Sequence, residues 1–131
     1  MLEVGAPDEK RFLHKETTER VIGAAFEVHR ELGYGFLERV YQRALQVELL
    51  RAGVSAEIEK RIRVRYKGVV VGEYDADLIV DSSVAVELKV ALQYDRRDEA
   101  QLLNEIKATG IKVALLINFG RAKVEYKRLV S

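Results

Sequence analysis

Cysteine and tryptophan are absent from this chain, and proline and methionine occur once each, at Pro7 and Met1. Without cysteine there are no disulfides and no thiolate metal sites. No apolar run approaches the roughly 20 residues of a membrane span, and the first residues carry no apolar signal core, so a cytoplasmic location with no membrane partner is expected. Neither sign of charge dominates. Twenty-two basic against 21 acidic residues leave a net charge of +1, which does not announce a nucleic-acid binder, although a local patch can still serve as one. Internal repeats, low-complexity segments and dividing linkers are also missing. With 131 residues the chain is one domain's worth and can bury a real core. A lead-in over residues 1–15, only partly ordered, and a single domain over residues 16–131 are expected.

What is there centres on Tyr74 to Val90, Y-D-A-D-L-I-V-D-S-S-V-A-V-E-L-K-V. Apolar and β-branched residues flank Asp81-Ser82-Ser83, which reads as two short strands around a turn. Strand side chains alternate between two faces. The even positions Ala76, Leu78, Val80, Val84, Val86, Leu88 and Val90 are all apolar, whereas Asp77, Glu87 and Lys89 fall on odd ones. One buried face therefore sets the register, and a three-residue loop centred on Ser82 puts Asp77 opposite Glu87 with Lys89 two residues on. Carboxylates that face each other at roughly 5 Å between Cβ atoms repel. A divalent cation and a neighbouring lysine would offset that repulsion. The spacing alone is equally that of an ordinary acidic outer face.

The remaining elements follow from periodicity. A helix from about Glu16, with Thr17 and Thr18 as caps, carries the stripe Val21, Ile22, Ala25, Phe26, Val28, His29 and Leu32 and stops at Gly33-Tyr34-Gly35. His29 at its edge reads as a partly buried, hydrogen-bonded side chain. A second helix from about Phe36 to Ala52 turns Leu37, Val40, Tyr41, Ala44, Leu45 and Leu49 inward, and Glu38 shares that side. A charge there needs a partner or a metal. In the strand Glu57 to Tyr66, Ile58, Ile62, Val64 and Tyr66 share one face, opposite a basic stripe of Arg61, Arg63, Arg65 and Lys67. Such a stripe is either a solvated face or a surface for a phosphate backbone. Gly68 turns the chain toward the central hairpin. After a loop ending in Arg96 and Arg97, a helix from about Asp98 to Ala108 presents Ala100, Leu102, Leu103 and Ile106 on its apolar side. An apolar strand, Lys112 to Asn118, and a last strand, Ala122 to Val130, complete the order ααβββαββ. That order makes an α/β protein of α+β type, with a mixed central sheet flanked by helices.

These elements together resemble a known family. The run G-F-L-E-R-V-Y at Gly35 to Tyr41 matches the signature of the GxxExxY proteins. V-H-R-E-L-G before it, the D-A-D-L-I-V and V-E-L-K segments, and E-A-Q-L-L-N, K-A-T-G and L-L-I-N-F-G further on are similar to the same family. The resemblance runs from about Thr18 to Leu129 and implies the restriction-endonuclease-like fold of the PD-(D/E)XK nuclease superfamily. By that resemblance Asp77 stands for the motif aspartate, Glu87 and Lys89 for E-x-K, Glu38 for a helical glutamate and Gln101 for the glutamine of the following helix. Two positions depart from the pattern. Glu105 stands where related branches have tyrosine, and Asp75 stands where a basic residue is expected.

The function so implied is phosphodiester hydrolysis in DNA or RNA by a metal-activated water. Asp77, Glu87, the Leu88 carbonyl and Glu38 would hold Mg²⁺ or Mn²⁺. Lys89 would orient the water or offset developing charge, and Gln101 would position Lys89 or the substrate. Arg61, Arg63, Arg65, Lys67, Arg96 and Arg97 are the candidate nucleic-acid contacts, and a homodimer is expected by resemblance alone. Two other outcomes fit the same residues: a catalytically silent nucleic-acid- or protein-binding module, and a metal-binding protein without hydrolysis.

Overall fold

The computed structural model describes residues 12–131, so most of the expected lead-in lies outside the described residues. Among these residues three helices, α1 (Lys15–Leu32), α2 (Glu38–Arg51) and α3 (Arg96–Thr109), accompany five strands. These are β1 (Ala56–Tyr66), β2 (Val69–Val80), β3 (Val84–Lys89), β4 (Val113–Asn118) and β5 (Glu125–Val130). The sheet order is β1-β2-β3-β4-β5. Its neighbours are antiparallel except β3 and β4, which run parallel because α3 carries the chain back between them. The α+β architecture and the element order are those expected. No described helix is long and apolar enough to cross a membrane.

Two apolar clusters sandwich the sheet. One lies under α1 and α2 and holds Val21, Tyr41, Leu45, Leu78, Val86 and Phe119; the other lies under α3 and holds Tyr74, Ala76, Ile79, Ala85, Leu102 and Ile106. Every residue of β4 is buried, as a strand covered on both faces requires. The β2–β3 register is Leu78↔Val86 and Val80↔Val84 about the Asp81-Ser82-Ser83 turn, so the loop is the three-residue one centred on Ser82.

The expected single face for all even positions does not survive along β2. Ala76 packs with the α3 cluster, Leu78 with the other, and Ile62 and Ile58 divide in the same way on β1. Between them the β1–β2 ladder skips one step, from Ile58↔Leu78 to Lys60↔Ala76, where Glu59 adopts a left-handed φ of 52°. A residue in that conformation breaks the pleat and exchanges the faces beyond it. Val90 also leaves the core and is exposed.

Other boundaries shift for local reasons. Thr18 lies a turn inside α1, buried, with its hydroxyl bonded to the Lys15 carbonyl rather than capping. Thr17 instead donates to Asp81, which ties α1 to the central turn. Leu37 is the residue before α2 and is exposed, as are Val40, Phe26 and Ala100. Helix α3 begins at Arg96 because the Asp95 carboxylate caps it by accepting from the Arg97 N–H. Lys67 belongs to the two-residue Lys67-Gly68 turn, where both φ angles are positive, so it is not on the strand face with Arg61 to Arg65.

Candidate metal centre

Three elements bring Glu38, Asp77 and Glu87 together, and one carboxylate oxygen from each lies within 4.8 Å of the other two. Glu38 is delivered by the loop ahead of α2. Gly33 and Gly35 take φ of 71° and 111°, which favour glycine. Tyr41, one turn into the helix, is fully buried, and its hydroxyl donates to the Gly33 carbonyl (2.7 Å) and accepts from the Phe36 N–H (3.3 Å). The tyrosine thus fixes the loop from which Glu38 emerges. Its ring stacks on Phe119 at 4.7 Å, and Phe119 stacks in turn on His29. His29 is half-buried, and its Nε2 is 2.8 Å from the Arg121 carbonyl.

Asp77 stands at the interruption of the sheet. Pairing of β2 with β3 ends at Leu78↔Val86, and the Asp77 carboxylate takes over from the backbone by accepting the Leu88 N–H at 2.7 Å. The Asp77 carbonyl, left at the skipped step toward β1, accepts from Gln42 Nε2 at 2.9 Å. Gln42 is buried on α2, one turn after Glu38. The sequence marks it only as a polar residue four positions from Glu38, between two residues of the inner stripe.

Glu87 faces this gap, and its Oε2 accepts from the Tyr74 hydroxyl at 3.0 Å. Burial first, and then the adjoining Asp77, push the Glu87 carboxyl up to about 9. Burial likewise raises Glu38, with the Asp77 charge adding and Lys89 opposing. Tyr74 is raised by burial and by the Glu87 charge. Carboxylates this crowded favour either a shared proton or a cation.

Lys89 lies half-buried beside the cluster, its Nζ 3.9 Å from Asp98 on α3. A cavity of about 100 Å³ opens there, lined by Tyr74, Glu87, Lys89, Asp98, Gln101 and Glu105 among others. Gln101 reaches this wall but donates to Glu105 at 3.3 Å rather than to Lys89. Leu88 has its side chain in the core. Among the basic candidates, Arg61 is engaged by Asp75 (3.0 Å) and Glu73 (3.0 Å), and Arg97 by Asp95 (2.9 Å). The unexpected acid at Asp75 is thereby neutralised. Arg63, Arg65 and Arg96 have no ion pair among the described residues, and Lys67 lies over the Tyr66 ring at 5.4 Å. Two cations that sequence reading left aside, Arg39 and Arg43, are exposed one turn apart on the outer side of α2, Arg39 next to Glu38 in the chain, also without an ion pair among the described residues.

The donor set suits a hard divalent cation: three carboxylates, no sulfur, and an electrostatic strain that a positive ion relieves. The family model of the PD-(D/E)XK nuclease superfamily matches residues 15–129. A solved structure described as the crystal structure of SSO0001 superposes with a TM-score of 0.57 at 17% identity, covering 95% of this chain. This chain spans only 62% of that protein, and the likeness shows the fold alone. No curated protein matches the chain.

Proposed function

The chain belongs to the PD-(D/E)XK nuclease superfamily, and on that premise we propose that it is a divalent-metal-dependent phosphodiesterase acting on nucleic acid. The observation that carries the reading is the convergence of Glu38, Asp77 and Glu87 within 4.8 Å, at a break in the sheet and beside Lys89. Asp77 and Glu87 would hold Mg²⁺ or Mn²⁺, with the Leu88 carbonyl and Glu38 on α2 as further ligands. When bound, such a cation supplies the Lewis acidity that lowers the pKa of water and polarises a phosphoryl oxygen.

The chain's own residues do the rest. Tyr74 and the Leu88 N–H each hold one carboxylate oxygen, of Glu87 and Asp77, so both ligands are oriented before the ion arrives. Gln42 holds the Asp77 backbone from the other side. Lys89 places a positive charge where the phosphate gains negative charge, and Asp98 keeps that ammonium on the cavity wall. Gln101 and Glu105 continue that wall along the same side of α3 as Asp98, and Gln101 offers its amide to the substrate near the cleaved bond. Arg63, Arg65, Lys67 and Arg96 supply phosphate contacts, and Arg61 and Arg97 join them only by exchanging a carboxylate for a phosphate.

Calorimetric titration of Mn²⁺ into wild type and Asp77→Ala, with cleavage assays on mixed DNA and RNA, tests this reading. Binding and cleavage should both vanish in the variant. Binding without cleavage of any substrate would favour the alternative of a catalytically silent binding module. No Mn²⁺ binding by wild type would overturn the metal site.

A further inference from the structure

Two loops flank the acidic cluster, and both hold bulky apolar side chains out in water. Leu37, immediately before Glu38, is 79% exposed, and Tyr34 in the same loop is 62% exposed; Leu92, three residues after Lys89, is 79% exposed. Isolated exposed apolar residues need no explanation, but these are among the most exposed of the large hydrophobic side chains described, and they sit in the two loops that adjoin Glu38 and Lys89 in the chain. Tyr34 has no hydrogen bond among the described residues, and glycines with positive φ on either side set its loop.

Both loops rest on one buried aromatic stack. Phe36 packs edge-on against Tyr41, and Tyr41 stacks on Phe119. Gly120, next in the chain, lies so tightly under the other loop that a Cβ there would fall 2.5–2.6 Å from Val90 and Ala91 backbone atoms. Asn118 fastens the same loop by two hydrogen bonds of 2.9 Å to the Ala91 backbone. The loops are therefore held as parts of one surface. Arg39 and Arg43 on α2 add positive charge that no carboxylate among the described residues neutralises. Apolar or aromatic faces interleaved with unpaired cations suit a strand whose bases are free to stack and whose phosphates track the charges. In a paired duplex the bases present edges in a groove rather than faces.

Resting on the nuclease reading above, we infer that the substrate is nucleic acid with unpaired bases at the cleavage site, its bases seated on Tyr34, Leu37 and Leu92 and its phosphates on Arg39 and Arg43. The test is binding of a fluorescein-labelled 20-nucleotide poly(dT), against a 20-base-pair duplex of mixed sequence, to the full chain with Ca²⁺, by anisotropy. The single strand should bind at least tenfold tighter. Tyr34→Ala with Leu92→Ser should weaken it about 5- to 150-fold, from ~1–3 kcal/mol per stacked base, and leave Mn²⁺ affinity and melting temperature unchanged. Arg39→Ala with Arg43→Ala should reduce the slope of log affinity against log salt by about 1.4, ~0.7 per phosphate contact on a single strand. Equal or tighter duplex binding, or single-strand binding indifferent to the loop variant, overturns the inference while leaving the metal site intact. Self-association of wild type that the loop variant abolishes, seen by sedimentation, would overturn it by making the surface a contact between two copies. Loss of Mn²⁺ binding by wild type instead marks failure of the nuclease reading itself.

Discussion

Burial and the adjoining Asp77 raise Glu87 from the ordinary carboxylate value of 4.5 to about 9. In the metal-free protein the folded state then keeps a proton that the unfolded chain releases between those values. The stability this gives is full below about pH 4.5 and is lost as pH rises through about 9. In the presence of a chelator the melting temperature should therefore fall from pH 5 to pH 9. Glu87→Gln, neutral throughout, should flatten much of that fall and melt at least about 5 °C above wild type at pH 8. A wild-type profile already flat over this window would show that the carboxyl is not so strained. On the nuclease reading Lys89 would act differently, its ammonium serving charge that develops only during reaction. Lys89→Ala should lower cleavage by about a hundredfold or more and change Mn²⁺ affinity less than threefold. Retained cleavage would remove Lys89 from the chemistry.

The elements hold these side chains through a few tight approaches. Gly120→Ala drives a methyl group into the backbone after Lys89 and should cost about 1–3 kcal/mol in urea unfolding, as overpacked sites do. Gly72, with no atom within 4 Å of an added Cβ and no positive φ, should tolerate alanine within about 0.5 kcal/mol. Much at this scale was legible in the sequence. Apolar parity set the Ser82-centred turn, continuous apolarity identified β4, and Gly110 marked the end of α3. The exchange of faces was not legible. It comes from Glu59 at a positive φ, in a glutamate that no propensity rule marks, so Ala76 reads as a neighbour of Leu78 although it packs on the other side of the sheet. The same break hid Gln42, whose importance lies in a carbonyl that regular pairing would have satisfied. Asp75 reads as surplus negative charge until the cross-strand register sets it opposite Arg61.

For the whole molecule, the near-balance of charge conceals three carboxylates crowded at one point. Any ion held only by the folded cluster must stabilise the fold by mass action. At a Mn²⁺ concentration a hundred times the dissociation constant, wild type should gain about 2.7 kcal/mol, visible as a rise of roughly 8 °C in melting temperature. Asp77→Ala should show no rise. A rise of equal size in that variant would place the cation elsewhere.

If the proposed function holds, Asp77 does two jobs that selection can separate. Its carboxylate completes the sheet by taking the Leu88 N–H, a duty that persists whatever the chemistry. Lys89 has only its distant pairing with Asp98 among the described residues. A lineage that abandoned hydrolysis would keep an aspartate or asparagine at position 77 for architecture and let position 89 drift. Among descendants of this chain, the lysine would be the better witness of a living enzyme.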